Sequence, residues 1–430
     1  MLDIHWVREH QGEVAENLVR RRDEKLKRSF SALIHHDEEW RRLKREIDDL
    51  RKRRNEISKE IDSLKRAGTD ASQALAEAKA IPGRVQELEK AAAEHQQQSH
   101  RYSMHLPNLL DPTVPFGRDS TDNEVVKTWG KPSKSTGTLK PHGEFLQEAG
   151  LADFTRGTKI SGAGFYFLLG ELALLEQALA RFALDFLAKK GFTVVQPPYM
   201  ISRAAYEGVT DLVDFERVMY KVEGHDLFLI ATSEHAICSM FRDEILEEDK
   251  LPIKLAGLSP CFRKEIGAHG VDTRGLFRVH QFNKVEQFVF CRPEDSPKIH
   301  AELLANAEAL FQKLGLPYRV VLICTGDIGA VAAKKYDLEA WMPREQAYKE
   351  AISCSNCTSY QAVRSNIKFR KKGSLDKAYV HTLNSTAIAT SRALRAIVEN
   401  FTDEKGRIQI PKPLQAYMGG LTEIKPAKPL

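Results

Sequence analysis

The 430-residue sequence has few cysteines and no long apolar run. Six cysteines are too few for the disulfide framework of a secreted scaffold, so we expect a protein of the reducing cytoplasm. No run of 18 or more apolar residues occurs, so we expect no membrane-spanning helix. The N-terminal stretch MLDIHWVREHQGEVAENL contains acidic residues and no apolar segment, which argues against a secretory signal.

The glycine-rich loops that commonly cradle phosphates are also missing. Neither G-x-x-x-x-G-K-[ST] nor G-x-G-x-x-G is present, so a P-loop or Rossmann nucleotide site is disfavoured. Hydrophobic residues make up 42% of the chain and charged residues 29%, which is typical of a soluble globular protein. The length suggests two or three domains, and the net charge of +5 permits a polyanionic partner without requiring one.

The first hundred residues carry a heptad seam whose residues step by three and four, with Arg54 at the one interrupted position: Trp40, Leu43, Ile47, Leu50, Ile57, Ile61 and Leu64. A turn at residues 67–70 and a weaker seam over residues 85–102 predict an antiparallel hairpin of two long helices, each about 60 Å at 1.5 Å per residue. A parallel dimerising coiled coil is the alternative. Pro82-Gly83 is expected to kink the second helix or to delay its start.

Basic clusters on the first helix fit a phosphate backbone, although interleaved acids allow ordinary surface pairing. We assign residues 1–105 to an N-terminal domain with this arm. Residues 106–141 are rich in Pro, Gly, Ser and Thr and are assigned to a linker. Residues 142–430 alternate helix and strand patterns with few βαβ repeats, so the fold class is predicted to be α+β, built on an antiparallel sheet.

The stretch FRKEIGAHGVDTRGLFRVHQFNKVEQF, residues 262–288, is predicted to form a β-ribbon with a Gly-rich turn. Strand alternation places charged and aromatic side chains on shared faces: Arg263 with Glu265, and Arg278 with His280, Phe282, Lys284 and Glu286. Positions 278 and 286 lie about 26 Å apart at roughly 3.3 Å per residue. That length suits an extended ligand with phosphates, a flat ring and an amine. A solvated ribbon with cross-strand ion pairs is the alternative.

This ribbon resembles motif 2 of class II aminoacyl-tRNA synthetases, in the form found in seryl-tRNA synthetases. GFTVVQPPYM resembles motif 1, which forms the dimer interface in the family, and ATSEHAI resembles the serine-pocket TSE motif. TLNSTAIATSRALRAIVENF resembles motif 3, and IPKPLQAYMGG resembles the family's C-terminal ending. The N-terminus and the helical arm also match, so the resemblance covers nearly the whole chain. It implies a class II catalytic domain at residues 142–430 and a tRNA-binding domain at residues 1–105.

The resemblance also implies the site residues. It implies catalytic roles for Arg263 and Arg392. It implies a serine pocket formed by Thr232, Ser233, Glu234, Arg263, Glu286, Asn384 and Thr386. It implies an ATP site formed by Arg263, Lys264, Glu265, Arg278, Val279, Phe282, Glu350, Ala351, Ile352, Ser353 and Arg392. Glu350 and Ser353 supply the oxygen ligands that Mg²⁺ prefers.

Finer roles follow from the same resemblance. Arg263 would contact the α-phosphate and the amino-acid carboxylate, and Arg278 the terminal phosphates of ATP. Phe282 would stack on adenine, while Glu265 and the Val279 backbone would read the base. Glu286 would bind the amine and the hydroxyl of serine.

Three positions keep a plainer interpretation. Thr232 follows a predicted strand and fits an ordinary helix N-cap. Cys354-Ser355-Asn356-Cys357 is a lone C-x-x-C without a second pair, so we expect packing and no structural zinc. Lys284 shares the ribbon face but receives no role beyond balancing nearby carboxylates.

The resemblance implies a homodimeric enzyme that activates L-serine with ATP and Mg²⁺ and charges tRNA(Ser), and also tRNA(Sec). One rival function is a related ligase that loads an amino acid onto a carrier protein; such relatives lack the long arm. Another is an inactive RNA-binding paralogue; such proteins lose the motif arginines, whereas Arg263, Arg278 and Arg392 are all present.

Overall fold

The computed structural model describes residues 1–133, 140–210, 218–265 and 275–429. The chain divides into two units, Met1–Pro107 and Asn108–Leu430. Among the helices of the described ranges, none has the length and apolar character needed to cross a membrane.

Two long helices form the greater part of the first unit. Helices Ile4–Glu9 and Gln11–Arg20 precede helix Glu24–Arg66, which packs along helix Ser72–His105. The seam residues are buried between them in two groups: Leu43 and Ile47 against Leu88 and Ala92, then Ile57 and Ile61 against Ala74 and Ile81. The antiparallel hairpin is therefore confirmed, and the apolar seam is buried between two helices of the same chain.

Pro82 lies inside the second long helix, which begins ten residues earlier at Ser72. The expected delay of the helix start is therefore wrong. Residues 72–81 are rich in helix-forming Ala, Gln, Glu and Leu, and Ala74 and Ile81 are buried against the first helix. This packing and propensity hold a helical segment ahead of the proline.

Ion pairs brace the hairpin at its base and along its length. At the base, the Arg8 guanidinium donates to both carboxylate oxygens of the buried Asp37, at 2.8 and 2.7 Å. Further along, exposed pairs join the two long helices: Arg51 with Glu89, Arg53 with Glu77 and Arg84 with Glu46. Exposed pairs contribute little individually, so the buried seam carries most of the stability.

An eight-stranded sheet organises the second unit. Its strands, from one edge to the other, are Glu124–Trp129, Tyr318–Leu322, Lys334–Met342, Ala347–Asn356, His381–Ala389, Gln281–Cys291, Ile253–Phe262 and Thr193–Val195. All neighbours pair antiparallel except the last two strands, which are parallel. The predicted α+β class with an antiparallel-dominated sheet is confirmed.

Helices Gly170–Lys189, Ser296–Leu314 and Thr390–Phe401 pack on this sheet and bury its largest apolar core. Shorter helices cover the periphery: His142–Glu148, Phe154–Ser161, Arg203–Val209, Ser233–Cys238, Tyr360–Ser365 and Lys412–Gln415. Small sheets join Ala152–Asp153 with Phe167–Leu168, Met200–Ile201 with Phe228–Leu229, Ile245–Glu247 with Lys368–Arg370 and Lys377–Tyr379, and Ile408–Gln409 with Glu423–Ile424.

The segment predicted as a linker, residues 106–141, contains an edge strand of the main sheet. Strand Glu124–Trp129 pairs with Tyr318–Leu322, with a register shift between Val125 and Lys127. That part of the segment is therefore built into the second unit. Its residues are mostly exposed and carry no clear alternation, so the sequence pattern did not reveal a strand.

The strands of the ribbon are shorter than the sequence pattern predicted. Strands Ile253–Phe262 and Gln281–Cys291 pair antiparallel up to the Phe262–Gln281 pair. Beyond Phe262 the backbone N–H of Lys264 donates to the Val218 carbonyl at 2.9 Å instead of continuing the ladder. The alternation used to place Arg263, Glu265, Arg278 and His280 on strand faces was therefore wrong, because these residues flank the strands. The predicted turn falls largely on residues 266–274, outside the described residues.

Candidate active site

A cavity of about 440 Å³ opens over the middle strands of the sheet. Eleven of the seventeen predicted site residues line it: Thr232, Glu234, Arg263, Phe282, Glu286, Glu350, Ala351, Ser353, Asn384, Thr386 and Arg392. They come from segments that are as much as 160 positions apart in the chain, from Thr232 to Arg392. The sheet register therefore gathers the predicted motifs into one concave site.

Arg263 lies one residue beyond the end of strand Ile253–Phe262. Its backbone N–H donates to the His280 carbonyl at 3.0 Å, and its Nε donates to the Ala231 carbonyl at 3.3 Å. The guanidinium lies over the Phe282 ring, 5.4 Å from the ring centroid. A fixed cation beside an aromatic face suits a ligand that carries both negative charge and a planar ring.

Thr232 is the N-cap of helix Ser233–Cys238, and its Oγ1 accepts the Glu234 backbone N–H at 3.2 Å. The N-cap interpretation is therefore confirmed, although Thr232 also lines the cavity. Glu234 Oε1 accepts from Gln361 Nε2 at 3.1 Å and from Asn384 Nδ2 at 3.0 Å. Burial, and secondly the Glu286 carboxylate, raise the pKa of Glu234 to about 7.

Glu286 is buried on strand Gln281–Cys291, opposite Thr386 in the sheet register. Its Oε2 accepts from Thr386 Oγ1 at 3.2 Å and lies 2.5 Å from Lys284 Nζ. Glu286 and Lys284 are 1% and 6% exposed, so the solvated charged ribbon considered as an alternative is wrong at these two positions. A buried carboxylate that is shielded from solvent is suited to bind an ammonium or hydroxyl group of a ligand.

A second cluster of polar side chains lines another wall of the cavity. Ser353 Oγ donates to Glu350 Oε1 at 3.1 Å, and Arg392 Nη1 donates to the Glu350 carbonyl at 3.0 Å. Burial would raise the pKa of Glu350, but the charges of Arg392 and Lys335 outweigh it and lower the pKa to about 2. Glu350 is therefore ionised at neutral pH.

Asp337 faces Ser353 across the paired strands. Its Oδ2 lies 3.2 Å from Lys335 Nζ, while its Oδ1 is buried without a hydrogen-bond partner among the described residues. Burial raises the pKa of Asp337 to about 6, against the opposing charge of Lys335. An orphaned carboxylate oxygen beside Ser353 is a feature that the sequence did not indicate.

Six predicted site residues do not line the cavity. Ser233 is buried, with Oγ donating to the Gly257 carbonyl at 3.2 Å, and Ile352 belongs to the apolar core. The other four flank the ribbon strands: Lys264 with Nζ 5.6 Å from the Tyr220 ring centroid, Glu265 half-buried, Arg278 exposed and Val279 buried. The backbone role of Val279 and the ATP-binding role of Ile352 stay predictions.

Several cavity residues were missed. Lys284 shares the alternation of Glu286, so the pattern placed it without giving it a role. Lys335 lines the cavity, and Gln361 binds Glu234 from a distant helix; neither lies in a motif that the sequence singled out. His235 also lines the cavity, and burial lowers its pKa to about 3, so it is neutral.

The Cys354 and Cys357 side chains are buried. Burial raises the pKa of Cys354 to about 12 and raises that of Cys357 far above the usual range, so both are neutral thiols. Cys357 Sγ accepts from Asn384 Nδ2 at 3.7 Å. Both cysteines are packed in the protein interior, and the absence of a structural zinc stays a prediction.

The antiparallel sheet and its motif-lined cavity define the core of a class II aminoacyl-tRNA synthetase, and the family comparison agrees. Residues 217–401 match the tRNA synthetase class II core domain (G, H, P, S and T). Residues 1–110 match the seryl-tRNA synthetase N-terminal domain. The chain belongs to the seryl-tRNA synthetase family.

Full-length relatives support this membership. The chain is 58% identical to a serine–tRNA ligase of Methanocella arvoryzae, over 98% of this chain and 99% of the relative. It is 47% identical to the Pyrococcus horikoshii seryl-tRNA synthetase, solved as a complex with ATP, with a TM-score of 0.96 and complete coverage of both chains. A cytoplasmic serine–tRNA ligase of Naegleria fowleri in complex with AMP is 34% identical, with a TM-score of 0.89 over 99% of each chain.

Proposed function

We propose that this protein activates L-serine with ATP and transfers the seryl group to tRNA(Ser). A serine carboxylate oxygen attacks the α-phosphorus, the bond to pyrophosphate breaks, and seryl-adenylate forms. The terminal ribose hydroxyl of tRNA then attacks the seryl carbonyl carbon, and AMP leaves. The observation that carries this proposal is the gathering of Arg263, Phe282, Glu286 and Arg392 in one cavity. Such a reaction depends on positioning and charge stabilisation, without a nucleophilic side chain.

Within this proposal, Arg263 meets the α-phosphate and the serine carboxylate, and adenine stacks on Phe282. Glu286 and Thr386 receive the serine amine and hydroxyl, next to Glu234 and Asn384. The support is geometric: the cation of Arg263 lies over the ring, and the two carboxylates face the same cavity. Arg278 is exposed and outside the cavity lining, so its proposed contact with the terminal phosphates rests on the family motif.

Mg²⁺ fits the oxygen side chains at the second wall of the cavity. Glu350 and Ser353 offer hard oxygen donors, and the orphaned Asp337 Oδ1 lies on the neighbouring strand. Among the described residues, no three His, Cys, Asp or Glu side chains are grouped so that they could hold a metal ion. We propose that Glu350 and Ser353 would hold the ion together with oxygens of the substrate phosphates. The ion would neutralise negative charge on those phosphates.

Serine-dependent ATP–pyrophosphate exchange by the purified chain tests the activation step. We expect exchange with L-serine and Mg²⁺, and its loss when EDTA removes the metal. L-Alanine should support exchange with kcat/KM at least about 10⁴-fold lower, because Glu286 and Thr386 would keep unpaired polar atoms. If L-serine gives no exchange, the proposed function fails. Equal rates with alanine and serine would contradict the assignment of a pocket that binds the serine hydroxyl.

We propose that the protein is a homodimer that works in the cytoplasm. All six cysteines are free thiols, which supports a reducing compartment. Strand Thr193–Val195 forms one edge of the main sheet within the motif 1 segment, and Val194 and Met200 are 48% and 45% exposed. An apolar edge of this kind favours pairing with another chain.

Light scattering of the purified protein is expected to give twice the chain mass of 48.6 kDa. Val194→Lys should shift the protein towards monomer, because a charge would be buried at the interface. Val126→Lys is the matched control, since Val126 is 45% exposed on the opposite edge strand. A monomeric wild type, or equal dissociation by both variants, would contradict the proposed interface.

The arm is proposed to bind tRNA by shape and backbone. Exposed cations support this: Arg41, Arg45, Lys52 and Arg54 have no ion-pair partner within the described ranges of the first long helix and its neighbours. Recognition of this kind also accommodates tRNA(Sec), which we propose as a second substrate. Serylation of a tRNA(Sec) transcript tests this extension, and no product with an active enzyme would exclude it.

A further inference from the structure

Lys284 is a buried cation in the wall of the cavity. It lies two residues before Glu286 on the same strand, so both side chains point to one face. Lys284 is 6% exposed, and its Nζ lies 2.5 Å from Glu286 Oε2. A buried ammonium costs solvation free energy, so a lysine held here has to be compensated by its partner.

Several charged groups line the same cavity. Lys284 is the only cation that the described residues pair with Glu286. Arg263 is another cation near this pair, but its Nε is bonded to the Ala231 carbonyl and its guanidinium lies over Phe282. Glu350, Lys335 and Arg392 line another wall of the cavity. Lys284 is therefore the cation that acts directly on Glu286.

The remaining neighbours contribute no charge. Burial lowers the pKa of His235 to about 3, so its imidazole is neutral. Burial raises the pKa of the thiols of Cys261 on one neighbouring strand and of Cys354 on another, so both are uncharged. From the strand opposite, Thr386 and Asn384 present only neutral groups. The charged groups that act on Glu234 are therefore Glu286, Lys284 and Arg263.

We propose that Lys284 is a positioning residue of the amino-acid site: it holds Glu286 Oε2 and leaves Oε1 as the acceptor for the substrate's ammonium group. Its positive charge favours the deprotonated form of Glu234, so that the ammonium group enters a more negative pocket. This inference rests on the proposed function and deepens it. It concerns how the pocket selects an amino acid in its ammonium form.

The test is the pH dependence of KM for serine in Lys284→Met, which keeps the side-chain length and removes the charge. In the wild type KM should rise as pH falls below about 7, where Glu234 takes up a proton. In K284M this transition should move to higher pH by about 1 to 3 pH units, because a neighbouring cation no longer favours the carboxylates. At pH 7.0 KM for serine should rise about 30-fold or more, with KM for ATP little changed.

A double-mutant cycle separates this role from packing. If Lys284 acts mainly through Glu286, K284M should raise KM for serine by a much smaller factor in the Glu286→Gln background than in the wild type, and this pair of variants remains informative if K284M alone fails to fold. Lys284→Arg should retain the wild-type pH transition, because it keeps the charge. The proposal is overturned if K284M leaves KM and its pH transition unaltered, or raises KM equally with and without E286Q. Absence of exchange in the wild type would instead refute the proposed function.

Discussion

Replacing Arg263 with alanine is expected to lower kcat for serine-dependent pyrophosphate exchange by about 10²–10³-fold, equivalent to about 3–4 kcal/mol. Arg263 is the cation that the structure fixes over Phe282 at the centre of the cavity. In the proposed reaction it faces the α-phosphate, where negative charge grows as the serine carboxylate attacks. A donor already in place stabilises that charge without reorganisation, so the loss should fall on kcat.

Two further variants control this experiment. Arg263→Lys keeps a positive charge but loses the planar, forked donor set, and should recover only part of the lost rate. Arg242→Ala removes an exposed arginine that lies outside the cavity, paired with Asp243, and should behave as wild type. A thermal melt checks that R263A is folded. A folded R263A with kcat within about threefold of wild type would contradict the assigned role.

Shortening the helical arm is expected to separate the two half-reactions. Replacing residues 51–84 with a four-residue glycine-rich turn removes the tip, while Leu43, Ile47, Leu88 and Ala92 keep the base of the hairpin paired. Pyrophosphate exchange should remain within about threefold of wild type, since the cavity residues all belong to the second unit. The kcat/KM for tRNA charging should fall by about 10³-fold or more, because the shortened arm would no longer reach most of the RNA backbone.

A charge variant shows whether the fall in tRNA charging is electrostatic. Changing Arg41, Arg45, Lys52 and Arg54 to glutamine leaves the buried apolar residues of the seam unchanged and removes four exposed cations. The slope of the logarithm of tRNA affinity against the logarithm of salt concentration should become shallower by about one for each phosphate that is no longer neutralised. Undiminished charging by the shortened arm would show that tRNA is bound elsewhere.

The hairpin and the sheet could be predicted from the sequence because local residue patterns determine their helices and strands. The seam from Trp40 to Leu64 repeats at helical spacing, and it could be buried by the second seam. The strands around Glu286 were recognisable from β-branched and aromatic residues. Their ends were not, because the ladder stops where Lys264 bonds to Val218, an interaction between distant segments.

Residues of the site could be predicted only where they lie in a recognisable sequence motif. Arg263, Glu350 and Arg392 belong to recognisable stretches, and the sheet brings them to one cavity. Asp337 and Gln361 reach the site through strand register and helix packing, which no local pattern encodes. The burial of Lys284 and Glu286 likewise depends on the strands that flank them, so alternation alone left a ligand-binding ribbon and a solvated ribbon both open.

Because the arm is long, the ion pair at its base strongly affects the position of its tip. The first long helix has 43 residues, which is about 64 Å at 1.5 Å per residue. From Asp37 to the end of this helix at Arg66 is about 44 Å, so a tilt of about 5° at Asp37 displaces the tip by about 4 Å, more than the rise of about 3.4 Å per nucleotide in one strand of a duplex. The bidentate Arg8–Asp37 pair therefore limits the movement of the tip, because it ties the first long helix to helix Ile4–Glu9. If the arm binds tRNA as proposed, loosening this pair should weaken the selection of tRNA.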